Sequence, residues 1–199
     1  MSNKLFVIRD KGILFTDAAV LEREDGIYLE GYAHKENVYT YPKQLLNESD
    51  WIRKITGEGT PDELEEYEVS TEKQVIVPVM KEVAENRYTI EFPKHLLAGV
   101  KDQMLRIWYQ GDIGHAFLNG KMISDNFCNN DVWEIGLKDF AEELKDSPLV
   151  IYITPLKEGA NVNVESTMAA RMEEVKSTIG KIQKVEVAPV YENKISEWN

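Results

Sequence analysis

The dipeptide Asn119-Gly120 is the feature that most constrains the fold of this chain. It lies between two runs of strand-like composition, Ile113 to Leu118 and Lys121 to Phe127. Asn followed by Gly adopts two successive positive φ angles more readily than other pairs, so the dipeptide predicts a type I′ turn between antiparallel strands.

Short apolar runs at close spacing extend the β prediction over most of the chain. Asp25-Gly26 predicts a second hairpin, and Tyr88, Ile90 and Phe92 alternate with polar residues at the two-residue period of a half-buried strand. About ten short strands are expected. They lie around Leu5–Ile8, Ile13–Thr16, Val20–Arg23, Ile27–Tyr32, Val38–Tyr41, Val75–Val79, Arg87–Phe92, Met104–Tyr109, Leu149–Ile153 and Val185–Val190, in addition to the central hairpin.

Helical patterns are few. Gly136 to Lys145 predicts a brief amphipathic helix, and Ser166 to Ile179 predicts a helix with a stripe of methionine and aliphatic residues. The mixed apolar spacing of Lys43 to Thr56 leaves a short helix open. Many short strands with one or two short helices favour an all-β antiparallel sandwich over a parallel α/β fold.

One acidic stretch suggests an internal boundary. Gly57 to Glu68 contains two glycines, a proline and a run of glutamates, so we predict an exposed connection with a solvated acidic face. The predicted domains are a β-rich segment over residues 1–70 and a sandwich over residues 71–199. The polar tail from Glu192 is expected to fray.

Charge and composition exclude several classes of partner. The net charge is −12, from 35 acidic and 23 basic residues, which is the wrong sign for nucleic acid or an anionic membrane. No apolar run approaches the roughly 18 residues of a membrane span, and the start lacks the pattern of a signal peptide. The compartment stays open: intracellular, or exported if the chain is a fragment of a secreted enzyme. The lone Cys128 predicts neither an internal disulfide nor a thiolate metal site.

Around the central hairpin, polar side chains and aromatic rings occur together. An exposed indole can stack on the apolar face of a sugar ring while carboxylate, amide and imidazole groups bind its hydroxyls. Trp133 is expected to be buried between a loop and the sheet. Trp108 is the better candidate for an exposed ring, because its neighbours Ile107 and Tyr109 fill the opposite face of the strand. The candidate ligand-binding residues are Trp108, Asp112, His115, Asp125, Asn129 and Trp133.

Other chemistries are weaker alternatives. Asp112 and Asp125 could pair as catalytic carboxylates, with Glu134 as a third candidate, but turn and strand-end roles are favoured for them. No catalytic residue and no cofactor is therefore predicted. Oxygen ligands for a structural calcium ion are present, without the spacing of a known calcium loop. They are Asp125, Asn126, Asn129 and Asp131.

Four ordered segments resemble one protein family. The run Tyr109 to Phe127, then W-E-I-G-L-K-D-F from Trp133, I-T-P-L-K from Ile153 and V-A-P-V-Y from Val187 are similar to the C-terminal β-sandwich of bacterial beta-galactosidase-like glycoside hydrolases of family 35. The resemblance covers roughly the second half of the chain. It implies a jelly-roll sandwich like the galactose-binding domain.

The resemblance also implies a noncatalytic role. In such enzymes a (β/α)₈ barrel carries the acid and the nucleophile, and this chain has neither the length nor the pattern for that barrel. We therefore expect a carbohydrate-binding or scaffolding module of a glycoside hydrolase, with carbohydrate and a catalytic barrel domain as partners. The alternative is a small independent sugar-acting hydrolase that uses carboxylates near the hairpin.

Overall fold

The computed structural model describes residues 4–8, 11–55, 59–128, 131–164 and 171–197, without the side chains of 161–164, 171–174 and 197. It confirms an all-β fold built from antiparallel strands. The strands are β1 (Lys4–Ile8), β2 (Gly12–Thr16), β3 (Ala19–Arg23), β4 (Gly26–Gly31), β5 (Lys35–Tyr41), β6 (Ile52–Ile55), β7 (Glu65–Ser70), β8 (Val79–Ala84), β9 (Arg87–Glu91), β10 (Asp102–Gln110), β11 (Ile113–Leu118), β12 (Lys121–Phe127), β13 (Trp133–Gly136), β14 (Leu149–Thr154), β15 (Asn161–Val164), β16 (Arg171–Glu174) and β17 (Lys181–Glu197).

The strands form two compact units. Unit 1 comprises the described parts of Met1–Val75, Leu97–Asp102 and Pro189–Asn199, and unit 2 comprises those of Ile76–Leu96 and Gln103–Ala188. The predicted domains 1–70 and 71–199 are consecutive, whereas the chain returns to unit 1 twice after leaving it. Nothing in the hydrophobic pattern marks these returns, and β17 itself begins in unit 2 and ends in unit 1.

Unit 1 is a β-sandwich. Its five-stranded sheet has the order β1-β2-β5-β7-β6, and the hairpin β3-β4 pairs with the second half of β17. Side chains from both layers form one buried core, which removes apolar surface from water. Core residues of the five-stranded sheet are Ile8, Leu14, Val38, Ile52, Tyr67 and Val69; those of the other layer are Ile27, Leu29 and Ile195.

Unit 2 is also built from two layers. One sheet has the order β12-β11-β14-β9-β8, and β13 and β10 pair beside the first part of β17. The predicted central hairpin is confirmed: Asn119 and Gly120 have φ angles of 51° and 78° between β11 and β12. The layers meet at Gly114, where an added Cβ would lie 2.6 Å from Cζ3 of Trp133. Only glycine allows this approach.

The interpretation of the acidic stretch as an exposed connection is wrong from Glu65 onward. Glu65–Ser70 is β7, an inner strand between β5 and β6, and Glu65 and Glu66 are each only 6% exposed. Tyr67 and Val69 anchor this strand in the core, and the buried carboxylates have hydrogen-bond partners that offset their desolvation.

Over the described residues, the helix predicted for Ser166 to Ile179 is wrong, and the helix left open for Lys43 to Thr56 is not formed. In Lys43 to Thr56, residues Ile52–Ile55 form β6 against β7 instead of a helix, because Ile52 pairs with Val69 in the core. In Ser166 to Ile179, residues Arg171–Glu174 form β16 against β15, and Ile179 makes a β-bridge to Leu156. Long-range pairing outweighs helical spacing in both segments.

The structure also differs from two predictions made for the second half of the chain. The helix expected over Gly136 to Lys145 is reduced to two 3-10 turns, Lys138–Phe140 and Glu143–Lys145, with Leu144 buried. The tail expected to fray from Glu192 instead continues β17 to Glu197 along β4. Burial of Ile195 and ion pairs of Glu192 with Arg23 and Lys101 hold it in place.

Among the described residues no helix has the length and hydrophobicity needed to cross a membrane.

Candidate functional site

The outer face of the five-stranded sheet of unit 2 brings two predicted site residues together. His115 on β11 lies opposite Asp125 on β12 and opposite Tyr152 on β14, and Tyr152 lies opposite Arg87 on β9. The core side of the same strands is filled by Ala116 and Ile151, so these four side chains point outward. We call Asp125, His115, Tyr152 and Arg87 the cross-strand row.

The centre of the cross-strand row is an ordered pair of rings. The His115 imidazole and the Tyr152 ring stack with centroids 6.1 Å apart and an interplanar angle of 18°. Nε2 of His115 lies 3.2 Å from Oγ1 of Thr154, within hydrogen-bond distance. Phe117 lies 6.4 Å from the imidazole on the other side. Contacts on two sides restrict the imidazole and leave a half-buried aromatic surface on the sheet.

The two ends of the cross-strand row carry opposite charges. Asp125 and Arg87 are both exposed, and neither side chain has a hydrogen bond or ion pair with any residue that the structure describes. Neighbouring strands lie about 4.8 Å apart, so the backbones of these two residues are about 14 Å apart across three spacings. The row therefore offers an anion, two ring faces and a guanidinium in line.

Apolar side chains border the cross-strand row. Phe127 at the end of β12 is 68% exposed and lies opposite Ile113, while Met122 lies opposite Phe117. An apolar border next to polar groups is typical of a surface that binds an amphipathic ligand.

Trp108 lies on a different face. It is half-buried on β10, whose alternate residues Ile107 and Tyr109 fill the core as predicted. The ammonium of Lys184 lies 4.4 Å from the centroid of the indole. This cation–π contact covers one face of the ring, so Trp108 does not present the free plate that the sequence suggested.

Trp133 is buried, as favoured from its sequence context, at 3% exposure. Its indole nitrogen donates to Oγ of Ser124 at 3.1 Å, and its ring meets Tyr109 edge-on with centroids 5.9 Å apart. The Tyr109 hydroxyl in turn donates to the carbonyl of Asn126 at 2.7 Å. Trp133 thus packs the two layers of unit 2 together and is inaccessible to a ligand.

Asp112 and Asn129 are the remaining candidates. Asp112 precedes β11, where its amide donates to the carbonyl of Thr154 at 2.8 Å and its carbonyl accepts from the amide of Cys128 at 2.9 Å. These bonds give Asp112 a strand-end role, with its side chain exposed. Asn129 lies outside the described residues, and so does Asn130.

Two carboxylates of the enzyme alternative, Asp125 and Glu134, lie on opposite surfaces of unit 2. Asp125 points outward from β12, whereas Glu134 points outward from β13 in the other layer and accepts from Nε of Arg106 at 2.7 Å. A glycosidase needs its two carboxyl groups on either side of one bond, about 5 to 10 Å apart. Asp125 and Glu134 do not meet that requirement.

A pocket in unit 1 was not anticipated from the sequence. It has a volume of about 180 Å³ and lies between β6, β7 and the segment before β7. Its floor contains Glu65, whose Oε2 accepts from the Gln44 amide at 2.6 Å and from the Tyr67 hydroxyl at 2.7 Å, with Lys54 on Oε1. The other buried carboxylate, Glu66, accepts from Oγ1 of Thr60 at 2.7 Å.

The electrostatics of this pocket favour a structural role. Lys54, then the Tyr67 hydroxyl and the Gln44 amide, lower the pKa of Glu65 to about 2. Burial, together with the Glu65 carboxylate, raises the pKa of Tyr67. A general acid needs a raised pKa, so a carboxylate with a pKa of about 2 does not suit acid catalysis.

Within the ranges that the structure describes, no group of three or more His, Cys, Asp or Glu side chains is arranged to hold a metal ion. The calcium ligands expected from the sequence include Asn129, which lies outside those ranges, so that expectation stays a prediction.

Tyr152 and Arg87 were missed by the sequence reasoning. The alternation Leu149, Ile151, Ile153 already indicates that Tyr152 faces outward, but the order of strands in the sheet is not encoded in that pattern.

Comparison with known proteins adds no identity: no family model matches the chain, and neither a curated protein nor a solved structure is significantly similar to it.

Proposed function

We propose that this chain is a noncatalytic carbohydrate-binding module of a beta-galactosidase-like glycoside hydrolase, and that a glycan lies along the cross-strand row of unit 2. The observation that carries the proposal is the alignment of Asp125, His115, Tyr152 and Arg87 on one outer sheet face. The jelly-roll topology implied by the sequence resemblance belongs to the same proposal.

The chemistry of the row supports a saccharide ligand. A pyranose has an apolar face that packs on aromatic rings and a rim of hydroxyls that needs donors and acceptors. The stacked His115 and Tyr152 provide the aromatic surface. Asp125 accepts hydrogen bonds and Arg87 donates them, and neither is committed to another described residue. A glycan can therefore use these groups without breaking internal contacts.

The location also supports binding rather than catalysis. The row lies on an open sheet face, which leaves a bound glycan accessible to a separate catalytic domain. Catalysis of glycoside hydrolysis is favoured by a cleft that excludes water, whereas this sheet face is open.

Titration of the chain with soluble galacto-oligosaccharides and plant polysaccharide fragments tests the proposal. Binding is expected to be weak, and Tyr152→Ala should lower the affinity by about 5-fold, because an aromatic stacking contact contributes on the order of 1 kcal/mol. The matched control is Trp108→Ala, which removes a larger ring from the outer face of the other layer and should leave affinity unchanged.

Either of two results would contradict the proposal. The first is the absence of binding to every glycan in the panel. The second is binding that Trp108→Ala weakens and Tyr152→Ala leaves intact, since this would move the ligand to the other face of unit 2.

A scaffolding role is the second candidate, and one feature of unit 1 favours it. The outer face of its five-stranded sheet carries two apolar rows that we call the unit 1 patch, and Leu5 and Val7 are 55% and 69% exposed there. Exposed apolar side chains gathered on one face are typical of a docking site. Its residues are Leu5, Phe15 and Tyr39 in one row and Val7, Ile13 and Tyr41 in the other.

The scaffolding candidate predicts a stable complex with a catalytic barrel. Co-purification with a family 35 barrel encoded beside the chain should be lost in Val7→Asp and retained in Val83→Asp, an equally apolar exposed position on β8. Equal recovery with both variants would exclude the unit 1 patch as the docking site.

A further inference from the structure

Arg87, at one end of the cross-strand row, lacks the carboxylate partner that every other arginine with a described side chain has. Arg53 Nη2 lies 3.2 Å from Glu68, Arg106 Nε lies 2.7 Å from Glu134, and Arg23 binds Glu192. Arg87 has no such carboxylate among the described residues. This stands out because acidic residues outnumber basic ones by 35 to 23 in the whole chain.

The sheet register explains why Arg87 is not neutralised. Its neighbours across the strands are Ala84 on β8 and Tyr152 on β14, neither of which carries a charge. The carboxylate of Glu91 on the same strand is bound by Lys81 at 3.3 Å. The guanidinium therefore stays exposed beside the ring of Tyr152.

We propose that the ligand of the cross-strand row is an acidic glycan, whose uronate carboxylate or sulfate ester binds Arg87 while a sugar ring packs on Tyr152 and His115. The inference rests on the proposed function and specifies its ligand class. A guanidinium presents a planar fork of donors that matches carboxylate and sulfate oxygens in a bidentate contact.

The opposite charge of Asp125 gives the bound glycan a direction. A second anionic group at that end would face the Asp125 carboxylate, so the acidic sugar belongs at the Arg87 end and a neutral sugar at the Asp125 end. The overall charge of −12 opposes an anionic ligand at long range, but salt at physiological strength screens charges beyond about 8 Å. The short-range contact with Arg87 then decides the preference.

Three matched ligands test the inference by calorimetric titration: a neutral galacto-oligosaccharide, the corresponding galacturono-oligosaccharide, and a sulfated galacto-oligosaccharide. The wild-type chain should bind at least one acidic ligand about 10-fold more tightly than the neutral one, as expected for a charge-assisted contact. Which acidic ligand is preferred distinguishes carboxylate from sulfate recognition.

Two variants locate the effect. Arg87→Gln should abolish the preference by weakening the acidic ligands far more than the neutral one, and Lys121→Gln, which removes an exposed cation at the start of β12, should keep the preference. Equal binding of neutral and acidic ligands by the wild type, or a preference that survives Arg87→Gln, overturns this inference and leaves the proposed function standing. Absence of binding to all three ligands overturns both.

Discussion

Replacing Glu65 by glutamine tests the claim that the acidic stretch is a buried structural element. The Glu65 carboxylate accepts hydrogen bonds from the Gln44 amide and the Tyr67 hydroxyl and pairs with Lys54. Glutamine keeps the size of the side chain and can still accept the two neutral bonds through its oxygen. It loses the ionic contact and turns an amide donor toward the Lys54 ammonium.

The magnitude follows from the pKa of Glu65. Relative to the ordinary value of 4.5, its lowering to about 2 corresponds to at most about 3.5 kcal/mol of stabilisation in the ionised form, at about 1.4 kcal/mol per pH unit. The Lys54 side chain is half exposed, so solvent screens part of this interaction. We expect Glu65→Gln to lower the free energy of unfolding by about 2 kcal/mol at neutral pH.

The pH dependence has a definite sign. Because the folded-state pKa of Glu65 is depressed, its contribution is fully present above pH 4.5 and is lost as the pH falls toward about 2. Urea unfolding of the wild type and the variant, followed by circular dichroism at pH 7 and pH 3, should show a difference in stability that shrinks at the lower pH.

Glu63→Gln is the matched control, since Glu63 lies in the same acidic run but is exposed. It should change the free energy of unfolding by less than about 0.5 kcal/mol. An equally small effect of Glu65→Gln at pH 7, or a difference that grows toward pH 3, would refute the assignment of Glu65 as a buried ion-paired carboxylate.

Replacing Gly114 or Gly120 by alanine should lower the stability of the chain for two different reasons. Gly114→Ala places a Cβ 2.6 Å from Trp133 and should destabilise the chain by about 1 to 3 kcal/mol through overpacking, with an altered Trp133 fluorescence spectrum. A wild-type melting temperature for this variant would contradict the close contact of the layers. Gly120→Ala has no atom within 4 Å of the added Cβ and should cost only about 1 kcal/mol from its positive φ, without a spectral change. A loss larger than that of Gly114→Ala would show that the turn carries tertiary contacts.

The central hairpin and the class of fold follow from sequence because the signals are local. The turn at Asn119-Gly120 and the two-residue alternation of β9, β10 and β11 depend only on backbone conformation and on the burial of alternate residues. Burial of Trp133 was also favoured from its apolar neighbours, and the structure confirms it.

The errors arise where distant residues decide. Glu65 looks solvated in sequence because its partners, Gln44 and Lys54, are brought to it by the order of the sheet. The end of β17 looks polar because the partners of Glu192 lie far away along the chain. Local patterns do not encode such long-range pairings. The pairings override local propensity when they satisfy buried charges.

The candidate site shows the same limit. The turn at Asn119-Gly120 joins the strands that carry His115 and Asp125, but on its own it would place His115 opposite Ser124; a β-bulge at Ala116 and Phe117 shifts the register and brings Asp125 opposite His115. Tyr152 and Arg87 reach them only through the strand order β11-β14-β9, which no local signal provides. Trp108 was predicted to be an exposed ligand-binding ring because its neighbours face the core. The ammonium that lies over its indole belongs to Lys184 on β17, which is distant in sequence.

The most direct test of a glycan site on the cross-strand row is a heteronuclear NMR titration of the labelled chain with the oligosaccharides described above. The account predicts that the largest chemical-shift changes occur at the amides and side chains of His115, Tyr152, Asp125 and Arg87. Saturable changes confined to the surroundings of Trp108 or to the pocket at Glu65 would contradict it. The absence of any saturable change would contradict it as well.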